Sequence, residues 1–137
     1  MGAQPLRKQG QEQERSGRST KARGDAAEDQ ALDYLQAQGL RLLQRNYRTP
    51  GRGGGEIDLI LQAPDGTVVF VEVRQRSRSD HGGALASITA TKRRRIVWAA
   101  RHFLLRLGQE PPCRFDVVVL QSDQDPLWLK AAFDAMA

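Results

Sequence analysis

The sequence is poor in the residues that build most metal and redox sites. It contains one cysteine, Cys113, and two histidines among 137 residues. This scarcity excludes an intramolecular disulfide, a cysteine-based zinc site and a histidine-rich metal site. The chain also has no run of 18 apolar residues and no apolar segment near its N-terminus. We therefore expect neither a membrane span nor a secretory signal, and predict a cytoplasmic protein that does not bind membranes.

The charge of the chain is unevenly distributed. The 21 Lys and Arg residues against 16 Asp and Glu residues give a net charge of +5. By segment, the charge is +4 over residues 1–23, −4 over 24–73, +6 over 74–95 and −1 over 96–137. Phosphate binding would account for the basic stretches alone. The acidic stretch requires an explanation of its own.

The pattern of apolar residues predicts one small domain behind a basic arm. Residues 1–20 are almost free of apolar side chains and are predicted to be disordered, so the domain comprises residues 21–137. Periodicity indicates helices over 20–38 and 89–107, strands over 40–48, 56–62, 67–75, 114–120 and 127–130, and a helical tail. The order α-β-β-β-α-β-β predicts an α/β fold in which helices flank a mixed sheet. The glycine run at 51–55 lacks the Lys-Ser/Thr of a nucleotide-binding loop.

The loop between the second and third predicted strands sets their register. Pro64, Asp65 and Gly66 suit a three-residue hairpin loop, with Gly66 in the left-handed conformation. Counting back from this loop places Asp58 opposite Glu72. The same count places Glu56 opposite Arg74, on the same face of the hairpin.

Two opposed carboxylates close to apolar strands require neutralisation. One of them could hold a proton, Arg74 could lie between them, or a divalent cation could bridge them. A ligand set made only of oxygen atoms favours Mg²⁺ or Mn²⁺ over zinc. An exposed salt-bridge ladder in which Glu56 pairs with Arg74 is the structural alternative. A glycosidase-like pair is disfavoured because opposed residues leave no room for a sugar.

Several motifs together resemble one protein family. They are AAEDQALDYL in the first helix, GGGEIDLI and VFVEVRQR in the hairpin, and ALASITATKRRRIVWAARHFL followed by RFDVV. Over residues 20–134 the chain resembles the YraN-like family of small bacterial proteins, which belongs to the restriction-endonuclease-like PD-(D/E)xK superfamily and is similar to Holliday-junction resolvases. The resemblance implies a restriction-endonuclease-like α/β/α sandwich. It also implies a metal-dependent, structure-selective DNA endonuclease of recombination or repair.

The resemblance assigns roles to individual residues. Asp58 and Glu72 would bind Mg²⁺ or Mn²⁺, and Glu28 would add a third acid, although a first-turn acid also suits the helix dipole. Arg74 occupies the place of the motif lysine as the third catalytic residue. Arginine does not lose its proton in practice, so it would orient water or hold phosphate rather than act as a base. A non-catalytic nucleic-acid-binding module with the same fold is therefore the alternative function.

The basic stretch supplies candidate contacts to nucleic acid, in branched or duplex DNA. These candidates are Arg76, Arg78, Lys92, Arg93, Arg94 and Arg95. Four bases at a helix N-terminus are unfavourable unless a phosphate or a nearby acid compensates them. A solvated charge run is the alternative. If the resolvase analogy extends to symmetric cleavage, a homodimer is expected.

Five other residues receive a structural interpretation. Trp98 and Trp128 are predicted to pack in the core or at its edge rather than to stack on bases. Cys113 is predicted to pack at the start of a strand, and His102 to lie at the core boundary. Asp116, in a valine-rich strand, is predicted to be buried with an arginine.

Overall fold

The described part of the chain comprises two helices and five strands. The structure, a computed structural model, describes residues 24–51, 54–76 and 87–135, so the predicted arm at 1–20 lies outside them. Residues 24–37 are helical and are called α1. The elements that follow are β1 (Arg41–Arg48), β2 (Glu56–Gln62), β3 (Val68–Arg76), α2 (Ala90–Leu107), β4 (Cys113–Gln121) and β5 (Leu127–Phe133). The predicted order α-β-β-β-α-β-β is confirmed.

The sheet is mixed and is covered on both faces. Its strand order is β1-β2-β3-β4-β5, with β3 and β4 parallel and all other neighbours antiparallel. A parallel pair needs a crossover connection, which contains α2. One apolar cluster lies between α1 and the sheet, and a second lies between α2 and the opposite face. In the described part of the chain, no helix is long and apolar enough to cross a membrane.

Aromatic side chains hold α2 against the sheet. All four phenylalanines of the chain belong to the α2-side cluster. Phe115 stacks between Phe70 and Phe133, with ring centroids 5.4 and 5.1 Å away. Phe103 of α2 meets Phe70 edge-on at 6.1 Å. These contacts fix the position of α2 above β3 and β4, and therefore the position of its first turn.

The predicted hairpin register is confirmed from the loop as far as the pair of Leu59 with Val71, where the β2–β3 ladder ends before the predicted pairs of Asp58 with Glu72 and Glu56 with Arg74. Ile60 pairs with Phe70 in the β2–β3 ladder. Gly66 has a φ of 94°, which glycine adopts without steric penalty, and its N–H donates to the Ala63 carbonyl over 2.9 Å. The local loop chemistry thus decides which residues of the two strands face each other.

The C-terminal prediction is wrong beyond residue 130, because β5 continues to Phe133 and the Ala-Ala-Phe segment is strand rather than helix. The cause is the fully buried Asp116 of β4. Its carboxylate accepts a hydrogen bond from the Ala131 N–H over 2.9 Å and lies 3.1 Å from Arg114. The predicted burial of Asp116 with an arginine is therefore confirmed. The hydrogen bond from the Ala131 N–H to Asp116 overrides the helix preference of alanine.

The packing predictions for single residues had mixed outcomes. Cys113 is exposed, so its predicted packing role is wrong. Trp98 is 58% exposed, so its predicted packing in the core or at its edge is also wrong. Trp128 is half-buried at the sheet edge, as predicted. His102 is half-buried and its Nδ1 is hydrogen-bonded to the Tyr47 hydroxyl, which agrees with a boundary position.

The glycine run allows a close contact between backbones. The Gly55 N–H donates to Thr49 Oγ1 over 2.8 Å. A Cβ atom at Gly55 would lie 1.9 Å from the Arg95 carbonyl oxygen of α2, and one at Gly54 would lie 2.2 Å from Thr49 Oγ1. The absence of a side chain at Gly55 therefore lets the connection between β1 and β2 approach α2, and the absence of one at Gly54 lets the connection fold back onto Thr49.

We predict that Gly55→Ala lowers the free energy of unfolding by about 1–3 kcal/mol, because the added methyl group overlaps the α2 backbone. Urea unfolding followed by circular dichroism measures the change. Gly24→Ala is the matched control, since a Cβ at Gly24 meets nothing within 4 Å and its helical position favours alanine. Equal stability of the two variants would contradict the close contact.

Candidate functional site

An open cavity of about 600 Å³ lies where the β2–β3 hairpin meets the first turn of α2. Its walls come from the connection between β1 and β2, from both hairpin strands and from α2. Among the described residues, three acids and three bases line it: Glu56, Asp58, Glu72, Arg48, Lys92 and Arg95. Opposite charges from separate elements thus converge on one concave surface.

The Asp58 carboxylate lies where the two hairpin strands stop pairing. The last backbone pair of the β2–β3 ladder is Leu59 with Val71. Beyond it, Asp58 Oδ2 accepts a hydrogen bond from the Val73 N–H over 2.8 Å. A side chain therefore replaces the backbone acceptor at this position. Asp58 and Glu72, which the sequence places opposite each other, both line the cavity.

The surroundings of Asp58 disfavour its charged form. Burial raises the pKa of Asp58 to about 7, and the negative charges of Glu72 and Glu28 add to this effect. The hydrogen bond from Val73 and the positive charge of Lys92 oppose it without cancelling it. An additional cation in the cavity would favour the ionised carboxylate.

The second carboxylate, Glu72, is already engaged by cations. Glu72 is buried, and its Oε1 lies 2.9 Å from Lys92 Nζ and 3.6 Å from the Arg74 guanidinium. The alternative in which Glu56 pairs with Arg74 is wrong. Glu56 lies 3.5 Å from Arg48 instead, because the β1–β2 ladder continues to this pair whereas the β2–β3 ladder has ended.

The contact of Lys92 with Glu72 was not predicted from the sequence, because Lys92 is one of four consecutive bases that the sequence does not distinguish. Thr89 caps α2 by accepting the Lys92 N–H over 3.1 Å, so Lys92 belongs to the first turn. A base there is unfavourable unless an acid compensates it, and Glu72 is that acid. The signal in the sequence was this electrostatic conflict, but it did not identify the partner.

The other bases of the α2 run point in different directions. Arg95 lines the cavity together with Lys92. The Arg93 guanidinium lies 5.8 Å from the centroid of the Phe133 ring at the end of β5, and Arg94 is exposed. The structure therefore directs two of the four bases to the cavity.

The next two bases after Arg74, Arg76 and Arg78, are not placed at the cavity. Arg76 is exposed at the end of β3 and is not among the cavity-lining residues. Arg78 lies outside the described residues. Neither residue is therefore assigned a contact with the carboxylate pair.

Glu28, the third predicted acid, is held by a different partner. Its carboxylate lies 3.4 Å from Arg45, which also contacts Asp29 at 2.8 Å. Burial raises the pKa of Glu28, while the hydrogen bond from Arg45 opposes that rise. Glu28 is not among the residues that line the cavity. Its charge nevertheless contributes to the raised pKa of Asp58.

The described residues of the cavity offer carboxylates that could hold a divalent ion, but no larger group of metal ligands. Over residues 24–51, 54–76 and 87–135, no three or more His, Cys, Asp or Glu side chains are grouped to hold a metal. Mg²⁺ commonly keeps several water ligands and uses only one or two carboxylates plus substrate phosphates. Asp58 and Glu72 are the carboxylates that could play this part, and Glu72 is already paired with the Lys92 ammonium.

We predict that Asp58→Asn stabilises the metal-free protein at pH 8 by about 1–3 kcal/mol. The pKa of Asp58 is about 7 when folded and ordinarily 3.8. Between these two pH values the folded protein keeps a proton that the unfolded chain loses. The free energy of unfolding of the wild type therefore falls as the pH rises from about 4 to 7. Urea unfolding in a chelator should show the advantage of Asp58→Asn vanishing near pH 4.

Asp65→Asn is the control for that measurement. Asp65 is exposed, and its pKa is lowered by the hydrogen bond that it accepts from the Thr67 backbone. Its ionised form therefore stabilises the folded state, so Asp65→Asn should show no gain at pH 8. A pH-independent difference between wild type and Asp58→Asn would contradict the raised pKa of Asp58.

Comparison with known sequences identifies the family. Residues 27–120 match the family described as "Uncharacterised protein family UPF0102". A UPF0102 protein of Albidiferax ferrireducens is 68% identical over 117 residues, covering 85% of this chain and 91% of the relative. A UPF0102 protein of Paracidovorax citrulli is also 68% identical over 117 residues, covering 85% and 86%. One of Methylibium petroleiphilum is 55% identical over 120 residues, covering 85% and 98%. The chain thus belongs to the UPF0102 family, which confirms its resemblance to YraN-like proteins.

Proposed function

We propose that this chain is a metal-dependent endonuclease that hydrolyses phosphodiester bonds in branched or duplex DNA, acting in the cytoplasm in recombination or repair. The observation that carries the proposal is the convergence of Asp58, Glu72 and Lys92 on one open cavity. The spacing of an acid, a hairpin and then acid-x-base also resembles the restriction-endonuclease-like superfamily. Symmetric cleavage of a four-way junction would additionally require a homodimer.

In this proposal Asp58 and Glu72 bind Mg²⁺ or Mn²⁺. A bound divalent ion would lower the pKa of a water molecule and stabilise charge on the phosphate oxygens. Asp58 suits this role because an uncompensated negative charge is disfavoured at its position. Glu28 contributes negative charge nearby and is assigned no direct contact, since Arg45 holds its carboxylate.

Lys92 supplies the amine that the motif would carry at Arg74. Both side chains contact Glu72, but Lys92 is closer, at 2.9 Å against 3.6 Å. An amine can release and accept a proton, whereas a guanidinium does not in practice. We assign Lys92 the contact with the attacking water, and Arg74 the task of holding Glu72. Arg95 and Arg48, on the cavity wall, would hold the phosphate backbone.

A non-catalytic nucleic-acid-binding module is the second candidate. The observation that favours it is the pairing of Glu72 with Lys92 and Arg74, which compensates its charge with groups of the chain itself. Such a module would keep the basic cavity wall and bind phosphates, but would not gain stability from a divalent cation. The two candidates therefore differ in both metal binding and cleavage.

We predict that Mg²⁺ or Mn²⁺ raises the melting temperature of the wild-type protein and supports cleavage of a labelled four-way junction, flap or duplex. Asp58→Asn and Glu72→Gln should each lose the metal-dependent stabilisation and lower the cleavage rate by about 100-fold or more. Asp65→Asn, which changes an exposed carboxylate of the hairpin loop, should keep the metal-dependent stabilisation and the cleavage rate of the wild type. DNA binding without cleavage or stabilisation in either metal would favour the non-catalytic module.

We also predict that Lys92→Met and Lys92→Arg both lower the cleavage rate by about 100-fold or more, while DNA affinity changes by less than about 5-fold. The arginine variant retains the charge but not the ability to lose a proton. Lys130→Met is the matched control, because Lys130 lies 4.3 Å from the Trp128 ring, on β5. Full activity of Lys92→Arg would contradict a proton-transfer role for Lys92.

A further inference from the structure

The outward face of α2 exposes an aromatic ring between two arginine residues. Trp98 is 58% exposed and Leu105 is 81% exposed. Arg94 lies four residues before Trp98 and Arg101 three residues after it, and these spacings place all three on one face of a helix. The opposite face carries the buried residues Ile96, Val97, Ala99, Ala100 and Phe103. We call the surface formed by Arg94, Trp98 and Arg101 the α2 surface.

The charge of α2 indicates what kind of partner this surface fits. The helix contains six bases, Lys92 to Arg95 together with Arg101 and Arg106, and no acid. A second copy of the chain docked through the same face would bring two such helices together, and their like charges would repel. A polyanion is attracted instead. The occupant consistent with both the ring and the charge therefore carries phosphates and a flat apolar group.

The α2 surface is continuous with the cavity. Arg95 lines the cavity, and Trp98 follows it by three residues. Residues at this spacing are neighbours on a helix, with a rise of about 4.5 Å between them. Trp98 thus lies within about one nucleotide of the cavity rim. A strand whose phosphate contacts Arg95 could present its next base to the indole ring.

We propose that the α2 surface binds unpaired nucleotides, with a base stacked on Trp98 and the flanking phosphates held by Arg94 and Arg101. Base stacking on aromatic side chains, combined with arginine contacts to phosphate, is the usual way that proteins hold single strands. This inference rests on the proposed function in one respect, because it names the substrate class for the same cavity. The preferred substrate has a single-stranded segment next to the duplex that enters the cavity.

Tryptophan fluorescence tests the proposal without metal or cleavage. The full chain is titrated in chelator with an oligothymidylate of about 12 nucleotides and, separately, with a blunt duplex of similar length. The single strand should quench the emission, and Trp98→Phe should abolish most of the quenching while keeping affinity within about 3-fold. Trp98→Ala should weaken single-strand binding by about 5- to 100-fold and leave duplex binding within about 2-fold.

Leu105→Ala is the matched control, because Leu105 lies on the same face but has no ring; it should bind both ligands as wild type does. The remaining emission of Trp128 reports that each variant is folded. Four outcomes would overturn the proposal: quenching that survives in Trp98→Phe, wild-type binding by Trp98→Ala, an equal loss of single-strand and duplex binding, or the same quenching by polyglutamate. Since no divalent metal is present, failure of the nuclease proposal would leave this result unchanged.

Discussion

The burial of two carboxylates on one hairpin dominates the electrostatics of the cavity. Asp58 and Glu72 line the same space at the point where β2 and β3 stop pairing. Burial and mutual repulsion disfavour the charged form of Asp58, so positive groups gather nearby. Lys92 arrives from α2 and Arg74 from β3, and both contact Glu72. The base in the first turn of α2, unfavourable for an isolated helix, is stabilised by the same arrangement.

Features with local causes could be predicted from the sequence. The Pro-Asp-Gly loop determines the hairpin register because its geometry depends on three consecutive residues, and the pairing of Ile60 with Phe70 follows from it. The same counting brought Asp58 and Glu72 to one site. The element order followed from apolar periodicity, since each helix buries one stripe and each inner strand is apolar on both faces.

Features with distant causes could not be predicted. Lys92 reaches Glu72 only because aromatic packing fixes α2 above β3, and no local pattern contains that information. The last strand depends on a hydrogen bond between Ala131 and Asp116, residues 15 positions apart. The exposure of Trp98 had a readable signal, because it lies two residues, or about 200°, from the buried Ile96. The prediction that both tryptophans pack in the core or at its edge did not use this helical spacing.

The closeness of Gly55 to the α2 backbone also has a consequence for the order of folding. The hairpin can close early, since its loop is short, but closure brings two acids together before any cation from α2 is present. Docking of α2 requires the long crossover to form and the connection between β1 and β2 to fit beneath the Arg95 carbonyl. The carboxylates of the hairpin therefore gain the compensating charge of Lys92 only once α2 has docked, so the cavity becomes complete together with the packing of α2.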